Sequence, residues 1–503
     1  MSGVKISNLP SATTPLAGTE LMAVVQGGNT SQVAVSNIGF LQTGTGAVNQ
    51  TVTAKLKQVV NVKDFGAVGD GATDDTAAIL AAINYVKGLF GGTVTFSAGT
   101  YVCATQLTMG VVQGVRLLGA SSNNQLTGGS TIKYTGTATP FMSVSGSAAS
   151  LSIENLNIVY SNGSFTGTLL SMPINQLYLT NCVLSGASVA TALYLLDINN
   201  SVDVCVTHTA FASSQYGISG QKSDGSGFCN VVSINQSQFT GLTVSCIRNP
   251  GQGWAITGCD FENLVNLKGS GIVMDAACSS IGLSINGCWF GDATDESAWV
   301  WILWQGSGLS ITGSYFNGTG GVSPDAVKLL GTSYGVAING CQFGKFANAV
   351  NLGSYISNDS SISGNRFQSC TTNIAGIPVS NHFSYQSNSW TPVPTNLTVV
   401  LGGGAVTYSG YYEKRGTFVY FTIIVTPSGG ATTASTASVS SFSFPLPVIS
   451  GSGVYGTCAA GNPNTGLAVG SGGVIVGSAI LPPAWAATSN TIVITGTYQS
   501  SVL

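Results

Sequence analysis

The sequence predicts an all-β protein built around a parallel β-helix, and three observations carry that prediction. Short segments of the form Ile-x-Gly/Asn-small-x-Phe recur every 22 to 29 residues from position 153 onward. Gly fills 67 of the 503 positions and only 7% of residues are charged, which suits a rigid chain rich in turns. With 44% hydrophobic residues and a net charge of −3, the chain also lacks the low-hydrophobicity, high-charge signature of disorder. At this length two to four folded units are expected.

The repeat starts at IENLNI, anchored on Ile153, and runs through LTNCVL (Leu179), VTHTAF (Val206), INQSQF (Ile234) and ITGCDF (Ile256). It continues with INGCWF (Ile285), ITGSYF (Ile311), INGCQF (Ile338) and ISGNRF (Ile362). Successive anchors lie 26, 27, 28, 22, 29, 26, 27 and 24 residues apart. A period of that size marks a solenoid, in which each unit covers its neighbour's apolar face. Within a unit the Ile points in, the third residue is often Gly or Asn, the fourth is small and the sixth is usually Phe. Two short strands meeting at a bend fit this pattern, because Gly and Asn tolerate the left-handed conformation of a sharp corner. Leucine-rich repeats would show leucines at fixed offsets and a helical half, and both are absent. Nine coils at a strand spacing of about 4.8 Å make a column of roughly 40 Å, before upstream coils are counted. A second strand precedes the anchor in GIVMDA (271–276), AWVWILW (298–304), AVKLLG (326–331) and AVNLGS (349–354); its phase is left open by the varying distance to the anchor.

The fourth repeat position holds Cys182, Cys259, Cys288 and Cys341, with Ser237 and Ser314 in the same column. That is where a small buried side chain belongs, so Cys288 is expected in the core rather than as a nucleophile, with no histidine near it in sequence to act as base. Eleven cysteines without a CxxC pair, and only His208 and His382, argue against a zinc or iron–sulfur site and for reduced, buried thiols made in a cytoplasm. No metal or cofactor is expected. The near-neutral charge gives no electrostatic case for nucleic acid or an anionic membrane. No apolar run approaches the ~18 residues of a membrane span, and no signal peptide is expected.

Upstream, VVNVKDFGAVGDGATDDTAAILAAINYV (59–86) followed by GGTVTFSAGTYV (91–102) resembles the opening segment of the pectate-lyase-like superfamily. That superfamily is common in phage tailspikes and polysaccharide-degrading enzymes, and the resemblance implies a right-handed parallel β-helix. Physically, DGATDDT reads as a turn ending in a helix N-cap supplied by Asp74, Asp75 or Thr76. The helix, at roughly 75–87, would cover the open strand edge of the first coil. The aspartates are therefore structural.

Residues 1–40 resemble the short adaptors that dock phage tail fibres and tailspikes to the virion. Their pattern reads as a small β-unit with an ELMAVV strand, a GGN turn and an SQVAVS strand, too small to be stable without a partner surface. Residues 41–58 read as linker, 59–102 as the capped opening of the column, and 103–384 as β-helix. Residues 385–503 alternate strands and turns and read as an antiparallel β-sandwich. It resembles the tips of phage fibres, which trimerise or bind glycans. Its single acidic residue, Glu413, excludes catalysis by a carboxylate pair within it. Tyr408, Tyr411, Tyr412 and Tyr420 are suited to stacking on sugar, though core and interface packing is the favoured reading.

Candidate chemistry lies on the outward fifth position: Asn157, Val183, Ala210, Gln238, Asp260, Trp289, Tyr315, Gln342 and Arg366. Asp260, Trp289 and Tyr315 should stand side by side on adjacent coils. Glu262 flanks Asp260, and Asp292, Asp295 and Glu296 follow Phe290. Aromatic faces stack on sugar C–H groups while paired acids serve as proton donor and base or nucleophile. Asp260, Glu262, Asp292, Asp295 and Glu296 are thus the catalytic candidates. Trp289, Tyr315, Trp299, Trp301, Asp275 and Arg248 are the substrate-binding ones, with Trp299 and Trp301 expected to face out. The tryptophans admit three readings: a glycan groove, a subunit interface rich in aromatics, or core filling. For elimination, Arg248 one coil from Asp275 is the best basic residue, and hydrolysis by the acids of 260–296 is the better-supported chemistry.

The order adaptor, linker, capping helix, β-helix and tip resembles phage tailspikes across nearly the whole chain. The resemblance implies a homotrimeric virion protein, assembled in the host cytoplasm, that recognises host surface polysaccharide and attaches to tail or baseplate proteins through residues 1–40. Whether it cleaves that polysaccharide, is a purely structural receptor-binding fibre, or is a cellular polysaccharide lyase stays open at this point.

Overall fold

The computed structural model describes residues 19–121, 128–145, 150–186, 194–222, 224–227, 229–262, 270–275, 278, 280–291, 300–318, 325–330, 333–353, 361–375, 388–415, 417–446, 454–463, 467–476 and 479–500. From residue 60 to residue 375 the chain winds as a parallel β-solenoid whose coils have three faces. The first face is a ladder of twelve parallel strands in sequence order, from Val60–Asn61 and Gly92–Phe96 to Ser361–Ser363. The other two faces share a 21-stranded sheet. Strands such as Asp260–Glu262 and Trp289–Gly291 form the second face, and Ser270–Val273 and Val300–Trp304 the third. Two long strands, Ala210–Ser219 and Gln238–Arg248, run through the bend between these faces, with a register shift between Ser214 and Tyr216.

The anchor residues stack one above the next without a slip. Ile153 pairs with Leu179, Leu179 with Val206, and the series passes through Ile234, Ile256, Ile285, Ile311 and Ile338 to Ile362. All of these are buried. Beyond the corner at the third position, alternation from the buried fourth residue sends the sixth position inward as well. Phe211, Phe239, Phe261, Phe290, Phe316, Phe343 and Phe367 form a continuous ring ladder with centroid spacings of 4.9, 4.8, 4.6, 4.6, 4.9 and 5.5 Å. Each fully buried ring contributes about 1.5–3 kcal/mol by leaving water. Ring pairing adds about 0.5–1.5 kcal/mol.

The third position is the corner between the first and second faces. Asn155, Asn181, His208 and Gln236 have φ of 56°, 51°, 49° and 46°, and Gly258, Gly287, Gly313, Gly340 and Gly364 lie between 58° and 65°. Every coil from 153 to 362 thus turns through the left-handed region, where glycine and short polar residues are least strained.

Beyond that corner the fourth residue's amide points into the column, and the neighbouring coil satisfies it. Cys182 N–H donates to Thr209 Oγ1 at 3.4 Å, Thr209 N–H to Ser237 Oγ at 3.2 Å, and Cys259 N–H to Cys288 Sγ at 3.4 Å. Cys288 N–H donates to Ser314 Oγ at 3.2 Å and Cys341 N–H to Asn365 Oδ1 at 2.8 Å. The cysteines are therefore more than small apolar fillers: each buried thiol or hydroxyl satisfies an amide of the coil before it. Cys288 is 2% exposed, which removes it as a nucleophile. Burial pushes the Cys182 thiol up to about 12. The hydrogen bond with Cys288, then burial, raises Cys259.

The capping helix spans Thr76–Gly88 and buries Ile79, Ala82, Ile83 and Val86 at helical spacing over the first coil. Asp75 precedes it, but its carboxylate accepts from the amides of Val68 (2.6 Å) and Gly69 (3.1 Å) rather than from the helix. Asp74 supplies the cap, accepting from Thr76 N–H at 3.1 Å. Asp70 accepts from the amides of Ala72 and Thr73, and these bonds lower its carboxyl to about 2. All three aspartates hold the turn.

Residues 1–18 lie outside the described residues. Leu21–Gln26 and Asn29–Ala34 form an antiparallel hairpin, closed by Gly27 and Gly28 with φ of 58° and 83°. That two-residue turn with both φ positive matches the twist of a hairpin. The segment 41–58 is more ordered than a linker. Gln50–Thr51 pairs with Gly39–Phe40, and the helical turn Val52–Leu56 is capped by Thr51, whose Oγ1 accepts from Ala54 N–H at 3.0 Å.

The C-terminal unit is antiparallel β, as expected. Nine antiparallel strands form one curled sheet, and a three-stranded sheet (Thr398–Val400, Thr432–Ser435, Trp485–Thr488) accompanies it. Trp485 of the small sheet shares a core with Val419, Phe421, Ile423, Ile475 and Ile494 of the large one.

Candidate functional site

The fifth repeat position lies in register on the second face, but only its upper half meets solvent. Asn157, Val183 and Ala210 are buried, and Asn157 Nδ2 donates to Thr131 Oγ1 at 3.2 Å. From Gln238 the row opens: Gln238, Asp260, Trp289, Tyr315 and Gln342 are half-buried and Arg366 is exposed. Each of these six pairs with the next across adjacent strands.

Strand alternation builds this row. Phe261 and Phe290 turn into the ring ladder, so Asp260, Glu262 and Trp289 turn out. The Trp289 and Tyr315 rings stack at 4.6 Å between centroids with 6° between their planes. A Cβ on Gly291 would lie 2.9 Å from Trp289 Nε1, so the indole lies flat over that glycine. Glu262 pairs with Gly291, and its Oε1 accepts from Gln238 Nε2 at 2.7 Å. The result is an aromatic platform two rings long with two carboxylates at its lower edge. Such a surface can stack on a sugar ring and accept hydrogen bonds from its hydroxyls.

Below Gln238 the row meets a cavity of about 260 Å³ lined by Asn181, Cys182, Val183, His208, Thr209, Ala210, Gln236 and Gln238. The corner residues Asn181, His208 and Gln236 were legible as turn formers only. Their shared third position was the signal that they form one polar rim.

Arg248 and Asp275 do meet, but away from this row. Asp275 Oδ2 accepts from Arg248 Nε at 3.0 Å and Nη2 at 2.8 Å, and from Asn249 Nδ2 at 3.0 Å. Arg248 Nη1 donates to Tyr194 Oη at 2.8 Å, and the guanidinium sits 5.0 Å over the Tyr216 ring. Tyr194 and Tyr216 are 4.7 Å apart. Arg248 ends a long strand on the third face, so this cluster clamps successive coils on another side of the column.

The expectation that Trp301 faces outward is corrected. Trp301 is 1% exposed and meets Phe290 edge-on at 5.7 Å, inside the column. Gly271 and Ala326 flank it on the adjacent coils, and a Cβ on Gly271 would lie 2.9 Å from the indole. Small neighbours above and below leave room for the ring in the core. Asp292, Asp295, Glu296 and Trp299 lie outside the described residues. Among the described residues, no group of three His, Cys, Asp or Glu is placed to hold a metal ion, and no helix is long and apolar enough to cross a membrane.

Residues 59–291 match the family model for rhamnogalacturonase A/epimerase, pectate lyase-like. Over that segment, just under half of the chain, the solenoid resembles a pectate-lyase-like column. Over 41 residues the chain is 66% identical to mannuronan C5-epimerase AlgE3 of Azotobacter vinelandii, covering 8% of this chain and 2% of that protein. The chain therefore spans a small fraction of the length of that curated relative. Among solved structures it is similar to the Dettilon tailspike protein, at 13% identity over 89% of this chain and 96% of that one, with a TM-score of 0.42. It is also similar to ORF18 of Geobacillus virus E2, at 17% identity over 83% and 80% of the two chains, with a TM-score of 0.38. The matched segment ends within the exposed row, after Trp289 and before Tyr315.

Proposed function

We propose that the protein is a phage tailspike or tail fibre that recognises host surface polysaccharide through the row Gln238–Asp260–Trp289–Tyr315 on the second face. The stacked Trp289–Tyr315 platform beside Asp260 and Glu262 carries this reading. An exterior aromatic pair flanked by hydrogen-bonding acids is suited to sugar, whose rings present apolar C–H faces and polar edges.

The hairpin near the N-terminus supports the virion assignment. The hairpin at 21–34 leaves Leu21 61% and Val25 75% exposed, as a docking unit completed by another surface would. On this reading residues 1–40 attach the protein to tail or baseplate proteins. The protein acts as a homotrimer on the virion, with assembly in the host cytoplasm.

A second reading, cleavage of the bound polysaccharide, rests on Asp260 and Glu262 facing outward from one strand. Two carboxylates beside an aromatic platform suit hydrolysis. Elimination is less well supported, because Arg248 is committed to Asp275 and Tyr194.

Purified protein incubated with host capsule or lipopolysaccharide tests both readings. Binding that Trp289→Ala weakens supports recognition, and release of reducing ends that Glu262→Gln abolishes supports hydrolysis. A 4,5-unsaturated uronate absorbance would point to elimination, and a bound polysaccharide that yields no product would leave a receptor-binding fibre.

A further inference from the structure

The exposed apolar side chains of the solenoid are segregated on one side of it. Among the described residues of 103–375, the large hydrophobic side chains left exposed are Val111, Tyr178, Val202, Val231, Ile281 and Tyr334. Tyr178, Val202, Val231 and Ile281 lie on strands of the first face, and Tyr334 bridges to Ser307 of that face. Val111 lies in the turn that leads into the first-face strand Val115–Gly119.

The register aligns four of them along one edge. Val202 pairs with Asn230 beside Val231, Asn230 with Gln252, Gln252 with Ile281, Ile281 with Ser307 and Ser307 with Tyr334. Five strand spacings make a straight apolar edge of about 24 Å. Charge is segregated the other way. The six first-face strands from Asn230–Asn235 to Ser361–Ser363 contain no charged residue. Over the same coils the strands of the second and third faces hold Arg248, Asp260, Glu262, Asp325, Lys328 and Arg366.

One member of the edge is kept at a conformational cost. Val231 has φ of 55° and is 59% exposed. The same step in the next three coils is Gly253, Gly282 and Gly308, with φ of 66°, 77° and 74°. A β-branched residue is strained in the left-handed region, and a glycine is not. An exposed valine there adds nothing to the core of its own chain, and its apolar side chain is available to a partner.

We propose that the first face is the surface through which copies of this chain associate, with Val231, Ile281 and Tyr334 buried against a neighbouring solenoid. The proposal rests on the homotrimer reading above and assigns the face that makes the contact. A second copy is the occupant that fits. The edge is straight and repeats at the strand spacing, and another solenoid of this chain presents its side chains at the same spacing. The whole face, twelve strands of about five residues, outlines roughly 900 Å², against the ~800 Å² that each partner gives to a stable interface. Covering its neutral upper half strips no charge of water. Lower down, Arg116 donates to Glu154 at 2.8 Å and Asp203 accepts from Gln176 Nε2 at 3.2 Å. Three copies with their first faces turned to one axis close as a ring.

The test uses the full chain. Sedimentation at micromolar concentration fixes the state of the parent protein. The photo-cross-linker p-benzoylphenylalanine, placed at position 281 or at position 347, then reports which side meets another copy. Ala347 is exposed at the corner between the second and third faces, opposite the first. A trimer with chain-to-chain cross-links from 281 and none from 347 is expected. Ile281→Asp should weaken association at least about tenfold, and Ala347→Asp should leave it unchanged. Ile281 is 57% exposed, and an unchanged circular dichroism spectrum confirms that its variants fold. A monomeric parent would remove the homotrimer reading and the proposal together. A trimeric parent with no cross-link from 281, or one that Ile281→Asp does not weaken, would keep the trimer and overturn the first face as its contact, leaving that face to a tail protein or to glycan.

Discussion

Trp289 and Tyr315 stack face to face on adjacent coils, 26 residues apart in sequence, at 4.6 Å between ring centroids. The stack follows from the ladder beneath it. Because Phe290 lies over Phe316 at 4.6 Å, the residues one step before them are fixed in register on the outer face. An inner ladder has set the spacing of an outer platform.

Gly291 is the support of that platform. A methyl there would come within 2.9 Å of Trp289 Nε1 and lift the indole off the strand. Gly291→Ala is expected to weaken polysaccharide binding several-fold while shifting stability by less than about 1 kcal/mol, since the indole is half-exposed and can swing away. Parallel binding isotherms and thermal melts measure the two effects.

The inner ladder is the main packing of the column, and its members are unequal. Phe290→Ala should cost about 3–5 kcal/mol. Phe367, at the half-covered top of the ladder with a spacing of 5.5 Å, should cost less than half as much. Urea unfolding of the two variants checks the order, and equal losses would contradict a graded ladder.

At the corner, the demand is on backbone conformation and not on space. Gly287 has φ of 60°, and a Cβ there would meet nothing within 4 Å. Gly287→Asn should therefore be nearly neutral, as Asn155 and Asn181 already hold that position in lower coils. Gly287→Val, a branched residue forced into the left-handed region, should destabilise by about 1–2 kcal/mol or more. Chemical denaturation distinguishes them.

Thiol accessibility tests the fourth-position column directly. Of the eleven cysteines only Cys205 and Cys370 are part-exposed. A bulky maleimide should label no more than these two in the native protein and all eleven in guanidinium, as read by mass spectrometry. Labelling of Cys288 in the native state would contradict its place in the core.

Asp197 gives a pH signature. Burial, the largest influence, raises its pKa above the ordinary 3.8. A raised folded-state pKa means that the neutral acid is the favoured form. Its stabilisation is full below pH 3.8 and is lost as pH rises through the raised value. At neutral pH the charged form is a cost, so Asp197→Asn should raise the melting temperature at pH 7, and the gain should vanish below pH 3.8. An equal gain at both pH values would contradict it.

Much of the solenoid was legible because two simple periods coincide. Alternation along each strand sends Ile285, Cys288 and Phe290 inward, and the left-handed corner demands Gly or Asn at a fixed step. Those constraints act within six residues, so they leave a local mark. The orientation of Trp301 was not legible, because what admits it to the core lies a coil away on either side, at Gly271 and Ala326. The burial of Asn157, Val183 and Ala210 was hidden for a similar reason, since strand parity alone sends the fifth position outward. The C-terminal tyrosines were only half legible: all four were in view, but the parity that separates Tyr411 and Tyr420 from Tyr408 and Tyr412 needs the sheet register.

Recognition of polysaccharide by the exposed row on the second face is tested most directly by one affinity measurement. The full chain is titrated with purified host capsule or lipopolysaccharide and compared with Trp289→Ala and Tyr315→Ala. Each variant is predicted to lose at least about tenfold, or 1.4 kcal/mol, with the melting temperature within a few degrees of the parent. Undiminished binding in both variants would contradict the role of the row.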